Sequence, residues 1–324
     1  MKATAVAHPI QGLVKYHGMR DHERRFPYHD SISVCTAPSR TVTTVAFDPD
    51  LDADQLVVEG SQLEGSDADR VCKVIDAVRD QTDLAETPIR FESESNFPTN
   101  VGLGSSSSGM AAAAVATAGA ADAGLDLAEL SGIARLGSAS AARSVTGGFS
   151  VLPGGDDDVT CRSYRLESPL EDELRIVAAV VEAYKETGDA HREAPLSHMF
   201  DARLAHVHDQ LAAVRRGLRA GDFELVFERA EADSLSLAAT TMTGPDGWIY
   251  WQPATLSIFE RVRELRDSGI PAYFSTDTGA TVYVNTTEAA SETVADELRE
   301  LPVDDVQIWE VGPPAHLDDD RELF

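Results

Sequence analysis

Residues 96–109 read NFPTNVGLGSSSSG and run without a break into the alanine-rich stretch Met110–Ala123. A glycine- and serine-rich loop feeding a helix-favouring segment is suited to hold an anion. The first N–H groups of a helix lack intrahelical acceptors, and the helix dipole adds partial positive charge at that end. Gly102 and Gly104 let the backbone approach a phosphate closely, and the hydroxyls of Ser105, Ser106, Ser107 and Ser108 can donate to phosphate oxygens or enter the shell of a Mg²⁺ ion. No GK[ST] follows, so this is not a Walker A loop, and it is not the GxGxxG of a dinucleotide fold. By composition alone a flexible linker or a helix cap reads equally well.

Upstream of the loop, residues 1–60 alternate short β-like runs (AVAHPIQGLV, SISVCTA, RTVTTVAF, QLVVEG) with turn signals, the pattern of an antiparallel or mixed sheet. Asp67–Arg79 reads as a helix and Ile89–Glu94 as the strand that leads into the loop. Downstream, helices are expected at Met110–Ala123 and Leu127–Leu136, with Gly124 and Gly137 as their stops, and a strand FSVLP leaves the Gly147-Gly148 turn. A second unit starts near residue 168 with the buried strand in ELRIVAAVVEA. It continues through amphipathic helices at Ser197–Ala220, Asp222–Thr240 and Leu256–Ser268. A hairpin-like pair of strands follows around Asp277-Thr278-Gly279, then a helix at Ala289–Leu301 and a strand at Val306–Val311. With no repeats, the economical reading is an α+β chain of two domains, 1–167 and 168–324, with a site between them.

Composition narrows the partners. The chain has 324 residues, 43% of them hydrophobic, enough for a sizeable core. Its 27 Lys plus Arg against 55 Asp plus Glu give a net charge of −28, which argues against nucleic acid or an anionic membrane surface. The only lysines are Lys2, Lys15, Lys73 and Lys185. Excess carboxylate with scarce lysine is the pattern of a protein kept soluble in concentrated salt, where the Debye length falls to about 3 Å at 1 M, and it points to a halophilic archaeal source. Cys35, Cys72 and Cys161 lie far apart with no metal-ligand or disulfide spacing. The N-terminus has no signal-peptide core, and no apolar run approaches the roughly 18 residues of a membrane span. The expected compartment is the cytoplasm. Oligomeric state is left open, a homodimer included.

The order PxxxGLGSSSS is similar to the phosphate loop of the GHMP kinase superfamily. The wider series, KYxGxRD from Lys15, PxxxSISV, NFPTxxGLxSS, GSxSxxRSxxGGF, a DS segment before a helix, and AYxxxDxGxxxxV, resembles the mevalonate diphosphate decarboxylase family from Lys15 to Val284. The resemblance implies a GHMP kinase fold, with a ribosomal-protein-S5-like N-terminal domain and a ferredoxin-like C-terminal domain, and an ATP- and Mg²⁺-dependent decarboxylation of a phosphorylated mevalonate. It implies ATP binding by Gly102, Gly104, Ser105, Ser106 and Ser107, with Ser106 on the metal. Ser138 and Ser140 would hydrogen-bond the substrate, and Arg143 would meet its carboxylate as a planar fork meeting a planar anion. Asp277 would accept or orient the proton of the tertiary hydroxyl, with Lys15 as the second catalytic group. Superfamily kinases commonly place an aspartate on the segment that here reads GSASAARS, without a carboxylate, so simple phosphate transfer is the weaker reading.

Two departures bear on the substrate. The family's KYWGKRD is here KYHGMRD, with Met19 in place of its second lysine. The serine-rich stretch after the first C-terminal strand is here YKETGDAHRE, residues 184–193, with Thr187 as its one hydroxyl. Both fall where the family meets the phosphate end of its substrate. They favour 5-phosphomevalonate, giving isopentenyl phosphate, over 5-diphosphomevalonate. The histidines offer less: His17 stands at a usual tryptophan, and His206 and His208 are two apart and face different sides of a helix. The segment GWIYW, 247–251, reads as packed aromatics.

Overall fold

The computed structural model describes residues 1–97, 103–183 and 191–324. Along the chain come strands β1 (Lys2–Ala7) and β2 (Ile10–Val14), a small hairpin of β3 (Met19–Asp21) and β4 (Phe26–Pro27), then β5 (Ser31–Ala37), β6 (Thr41–Phe47), β7 (Gln55–Val58) and β8 (Ser61–Gln62). Helix α1 (Gly65–Arg79) precedes β9 (Ile89–Ser95). Helices α2 (Ser105–Ala121), α3 (Leu127–Gly137) and α4 (Ala141–Thr146) lead to β10 (Phe149–Leu152), β11 (Tyr164–Leu166) and β12 (Leu174–Val180). After α5 (Phe200–Ala220), α6 (Phe223–Met242) and α7 (Pro253–Asp267) come β13 (Ala272–Ser275), β14 (Val282–Thr287), α8 (Ser291–Arg299), β15 (Asp305–Val311) and β16 (His316–Leu317).

The first sheet runs β16-β1-β6-β9-β7-β8, and its inner face of Ala3, Ala5, Ala7, Val45 and Phe47 packs on α2. That helix, SSSSGMAAAAVATAGAA, carries no charge and is buried nearly all round, which is why it shows no amphipathic stripe. Its small residues let β1, β6, α1, α3 and α4 all pack against it. At Gly119 a Cβ would lie 2.7 Å from Leu317 Cδ2 and 3.1 Å from Ala3 Cβ, so a larger residue there would have to push the Leu317 side chain and β1 outward. The helix begins at Ser105 rather than Met110, because the serines form its first turn. It stops at Asp122, left-handed at φ 50°, two residues before the expected Gly124.

The second sheet, β11-β10-β5-β15-β12-β14-β13 with β2 beside β5, crosses from the first half of the chain to the second through Glu310↔Ala37 and Val311↔Thr36. Period-two alternation sorts its C-terminal strands. Ile176, Ala178, Val180, Tyr273 and Tyr283 face α5 and α6. Val177, Ala179, Phe274, Val282 and Val284 face α7 and α8. The tail returns to the first sheet, where Ala5 pairs with Leu317 and Lys2 Nζ meets Glu322 Oε2 at 2.6 Å. Neither this return nor α4 was expected from the sequence.

Arg135 fixes how α3 meets the β3–β4 hairpin. It is fully buried; Nε donates to Arg24 O at 3.0 Å, Nη1 to Cys161 O at 2.6 Å and Nη2 to Asp158, while its guanidinium lies 4.6 Å from the Phe26 ring centroid. Arg135→Met should therefore lower unfolding stability by about 2–4 kcal/mol, because Cys161 O is left buried without a donor and the tie between α3 and the hairpin is lost. Denaturant unfolding in matched salt checks this, and a midpoint unchanged from the parent contradicts it.

Candidate active site

Six pieces of chain meet at one cleft: β2 with the residues just after it, the N-terminus of α2, the α3–α4 junction, the segment at His191, α6 at Leu237, and the turn between β13 and β14. Its walls are Ile10, Gly12, Lys15, Tyr16, Gly104, Ser106, Ser107, Ser140, Arg143, His191, Leu237, Asp277 and Thr278. Antiparallel pairing of β2 with β5 carries the first four to the cleft, and the β13–β14 pairing carries Asp277 and Thr278.

Lys15 is 5% exposed, and its Nζ donates to Ser234 Oγ and Ser275 Oγ, each at 3.0 Å. Its backbone is gripped from both sides: its N–H donates to Asp233 Oδ2 at 2.9 Å, and its carbonyl accepts from Arg203 Nη2 at 2.7 Å. Arg203 and Asp233 form an ion pair at 3.2 Å, and both are almost wholly removed from solvent. Burial pushes the Lys15 ammonium below the usual lysine range, while Asp233, 3.7 Å from Nζ, and then Asp277 oppose that shift. The DS dipeptide 233–234 thus lies inside α6 rather than ahead of a helix. The residue that follows β2 is held by two helices of the second half.

Gly12 lies between the two expected catalytic groups. A Cβ built there would fall 2.6 Å from Lys15 Cγ and 2.8 Å from Asp277 Oδ1, so the absence of a side chain is what lets the lysine stem and the carboxylate share this space. Opposite them, Arg143 in α4 is 3% exposed, with buried Nε and Nη1 that find no hydrogen-bond partner among the described residues. Its guanidinium lies 5.4 Å from the Tyr16 ring centroid. Burial lowers its pKa, and Tyr16 and Asp277 act against that. A guanidinium kept in such a place calls for a planar anion.

Ser138 and Ser140 bracket the α3–α4 junction and hydrogen-bond to each other at 2.8 Å; only Ser140 reaches the cleft wall. In the serine run the four hydroxyls divide. Ser107 Oγ donates to Gly104 O at 2.6 Å and accepts from Ile10 N at 3.3 Å, so it braces the loop against β2. Ser108 Oγ is buried against Thr41 Oγ1 at 2.7 Å. Ser106 is exposed on the cleft wall, while Ser105 is half-buried outside it. Gly104, at φ 75°, caps α2 in the left-handed region, and no side chain caps the helix. Gly102 lies outside the described residues.

The structure therefore gathers Lys15, Gly104, Ser106, Ser107, Ser140, Arg143 and Asp277 in one place and leaves Ser105 and Ser138 just behind it. Sequence reasoning missed Gly12 and Arg203, and held Asp233 only as part of the DS segment and His191 only as part of the stretch 184–193. His191 stacks on Tyr16 at 5.0 Å between centroids, and its Nδ1 faces Gly18 N at 3.4 Å. Met19 does not line the cleft; it packs with Phe26, Ala139, Ala142, Leu152 and Cys161. In GWIYW, Trp251 packs edge-on to Phe259, but Ile249 is 66% exposed, so that segment is only partly packed.

Residues 7–163 match the model of the diphosphomevalonate decarboxylase-like N-terminal domain. Phosphomevalonate decarboxylase of Haloferax volcanii is 58% identical over the whole of both chains. Diphosphomevalonate decarboxylase of Candida albicans is 30% identical over 91% of this chain and 87% of its own length. Among solved structures, mevalonate diphosphate decarboxylase from Staphylococcus aureus superposes with a TM-score of 0.92 at 28% identity, covering 98% of each chain. The Enterococcus faecalis enzyme, described for mevalonate-diphosphate-mediated ATP binding, does so with a TM-score of 0.92 at 30% identity, covering 98% of this chain and 99% of that one. A further neighbour, with a TM-score of 0.92, was solved with MVAPP, AMPPCP and magnesium. Similar in sequence and in fold along its whole length, the chain belongs to the mevalonate diphosphate decarboxylase family.

Proposed function

We propose that this protein is an ATP-dependent decarboxylase of 5-phosphomevalonate, converting it with ATP to isopentenyl phosphate, ADP, phosphate and CO₂. The observation that carries the reading is Arg143: a buried guanidinium with two donors unfilled among the described residues, across a cleft from Asp277, on a segment with no carboxylate. A kinase that only transfers phosphate has no need to bury a cation for its acceptor's carboxylate. A decarboxylase must hold that carboxylate aligned with the leaving group.

The N-terminus of α2 suits a nucleotide: Gly104 gives a side-chain-free approach and Ser106 presents a hydroxyl on the cleft. ATP would supply the phosphoryl group that turns the C3 hydroxyl into a good leaving group. Mg²⁺ would sit on its phosphate oxygens with Ser106 in reach. Asp277 takes the proton of the C3 hydroxyl or orients it, and the Lys15 ammonium sets the charge beside that carboxylate. Ser140, backed by Ser138, donates to the substrate, and Arg143 fixes its carboxylate until CO₂ leaves. We read residues 1–167 as the ribosomal-protein-S5-like, nucleotide-binding domain and 168–324 as the ferredoxin-like domain, with the tail from β16 belonging to the first sheet.

A single phosphate is favoured on two grounds. The chain puts the apolar Met19 where the family has a cation, and the relative similar along its full length is named for the monophosphate. The stretch 184–190, the other sequence ground, lies outside the described residues. The acidic composition supports work in concentrated cytoplasmic salt.

With mevalonate, its 5-phosphate and its 5-diphosphate offered separately in high salt, ADP and CO₂ should appear together, with kcat/KM at least about tenfold higher for the monophosphate. ADP without CO₂ would identify a kinase, and equal or better use of the diphosphate would return the chain to the family's ordinary substrate. Asp277→Asn should bind ATP and substrate as the parent does and lose about 10²–10⁴-fold in kcat. If it keeps more than a tenth of parental turnover, Asp277 is not the base.

A further inference from the structure

We propose that Arg25 is a specificity-determining residue that supplies a cation for the substrate's 5-phosphate, a role for which the expected lysine is replaced by Met19. The proposal rests on the reading of the cleft as a phosphomevalonate site. Arg25 ends the turn of the β3–β4 hairpin with φ 56°, a conformation a residue with a Cβ adopts only when its surroundings impose it. The surroundings do so here. Buried Arg135 holds the residue before it through Arg24 O at 3.0 Å and the residue after it through the Phe26 ring at 4.6 Å. Between these two anchors the Arg25 side chain is sent onto the end of α3, where its Nε donates to Leu136 O at 2.8 Å.

That carbonyl lies two residues before Ser138. On the next one, Gly137 O, sits a second guanidinium, Arg70, whose Nε donates at 2.9 Å. Two arginines thus lie side by side on consecutive carbonyls at the back of the Ser138–Ser140 pair. Arg70 has Asp67 at 3.3 Å. Arg25 has no ion pair and no hydrogen bond from its Nη groups among the described residues, in a chain with 55 carboxylate side chains. Burial and the neighbouring Arg70 both lower its pKa. The patch adjoins the cleft through the chain itself: the two carbonyls that hold Arg25 and Arg70 lead directly into Ser138, whose hydroxyl meets that of Ser140 on the cleft wall at 2.8 Å. A substrate with its carboxylate on Arg143 and its chain past Tyr16 and Ser140 brings a terminal phosphate toward Arg25.

The simpler role for Arg25 is to cap α3, and the test separates the two. Steady-state kinetics in high salt should show Arg25→Gln raising KM for 5-phosphomevalonate about 10- to 100-fold, with KM for ATP unmoved. Arg25→Lys, which keeps the charge, should recover most of that loss. If the glutamine variant does not fold, Arg25→Met, which keeps the stem against α3, carries the same comparison. An unchanged substrate KM in a folded variant overturns the proposal. So does a lowered melting temperature with equal losses for ATP and substrate, since that is the signature of a cap alone. A wild-type enzyme that ignores 5-phosphomevalonate instead sinks the reading of the cleft.

Discussion

Lys15 holds its ammonium 3.0 Å from two serine hydroxyls and 3.7 Å from Asp233, with hardly any contact with water. A buried cation is costly unless its charge is met and its donors are filled. Meeting that requirement here draws in residues far apart in sequence: Asp233 and Ser234 from α6, Arg203 from α5 and Ser275 from β13. The network fixes the end of β2, and Gly12, Tyr16 and the KYHGMRD segment hang from that end. It also explains why the C-terminal helices are needed by a cleft whose serine-lined wall belongs to the N-terminal half. Because Gly12 leaves room for both, the geometry that seats Lys15 also sets its distance from Asp277.

Charge is distributed with a purpose the composition conceals. Most arginines outside the site are committed to carboxylates, as Arg79 is to Asp54 at 2.6 Å and Arg266 to Glu231 at 3.0 Å. Around the cleft the commitment changes. Arg143 keeps two donors unfilled among the described residues, and Arg25 lies beside another arginine. In concentrated salt, surface attraction would be screened over a few ångströms, whereas cations that are partly or wholly buried would still act on an anion, because screening there is weak. An acidic protein with an anionic substrate can reconcile the two in this way.

Much of this was legible in the sequence. The uncommon run of glycine and serine before alanine marked the start of a buried helix, and α2 begins within it. That Asp277 and Arg143 line one cleft was legible because they sit in short ordered motifs. What was not legible is long-range. Asp233 meets Lys15 across 218 positions, and nothing local to either residue signals the pair. Gly12 reads as an ordinary strand glycine until its neighbours are known. Met19 was read as a gap in the phosphate site, and the fold turns it into a packing residue beneath Ala139 and Ala142. Ser107 and Ser108 look alike in sequence to Ser106, yet their hydroxyls are taken by Gly104 and Thr41. The direction of a hydroxyl depends on the helix phase and on what lies across the core, which a run of identical letters does not encode.

The account stands on Lys15 being a buried ammonium sustained by Asp233, and a chain with four lysines allows that to be read directly. In protein labelled at lysine with ¹³C and ¹⁵N, the side-chain signals can be followed against pH, with Lys15 assigned by its loss in Lys15→Met. The signal of Lys15 should titrate below the ordinary lysine value of about 10.4. In Asp233→Asn it should titrate lower still, because the carboxylate that opposes the effect of burial is gone. A Lys15 that titrates at the ordinary value in the folded protein, unmoved by Asp233→Asn, would contradict the account.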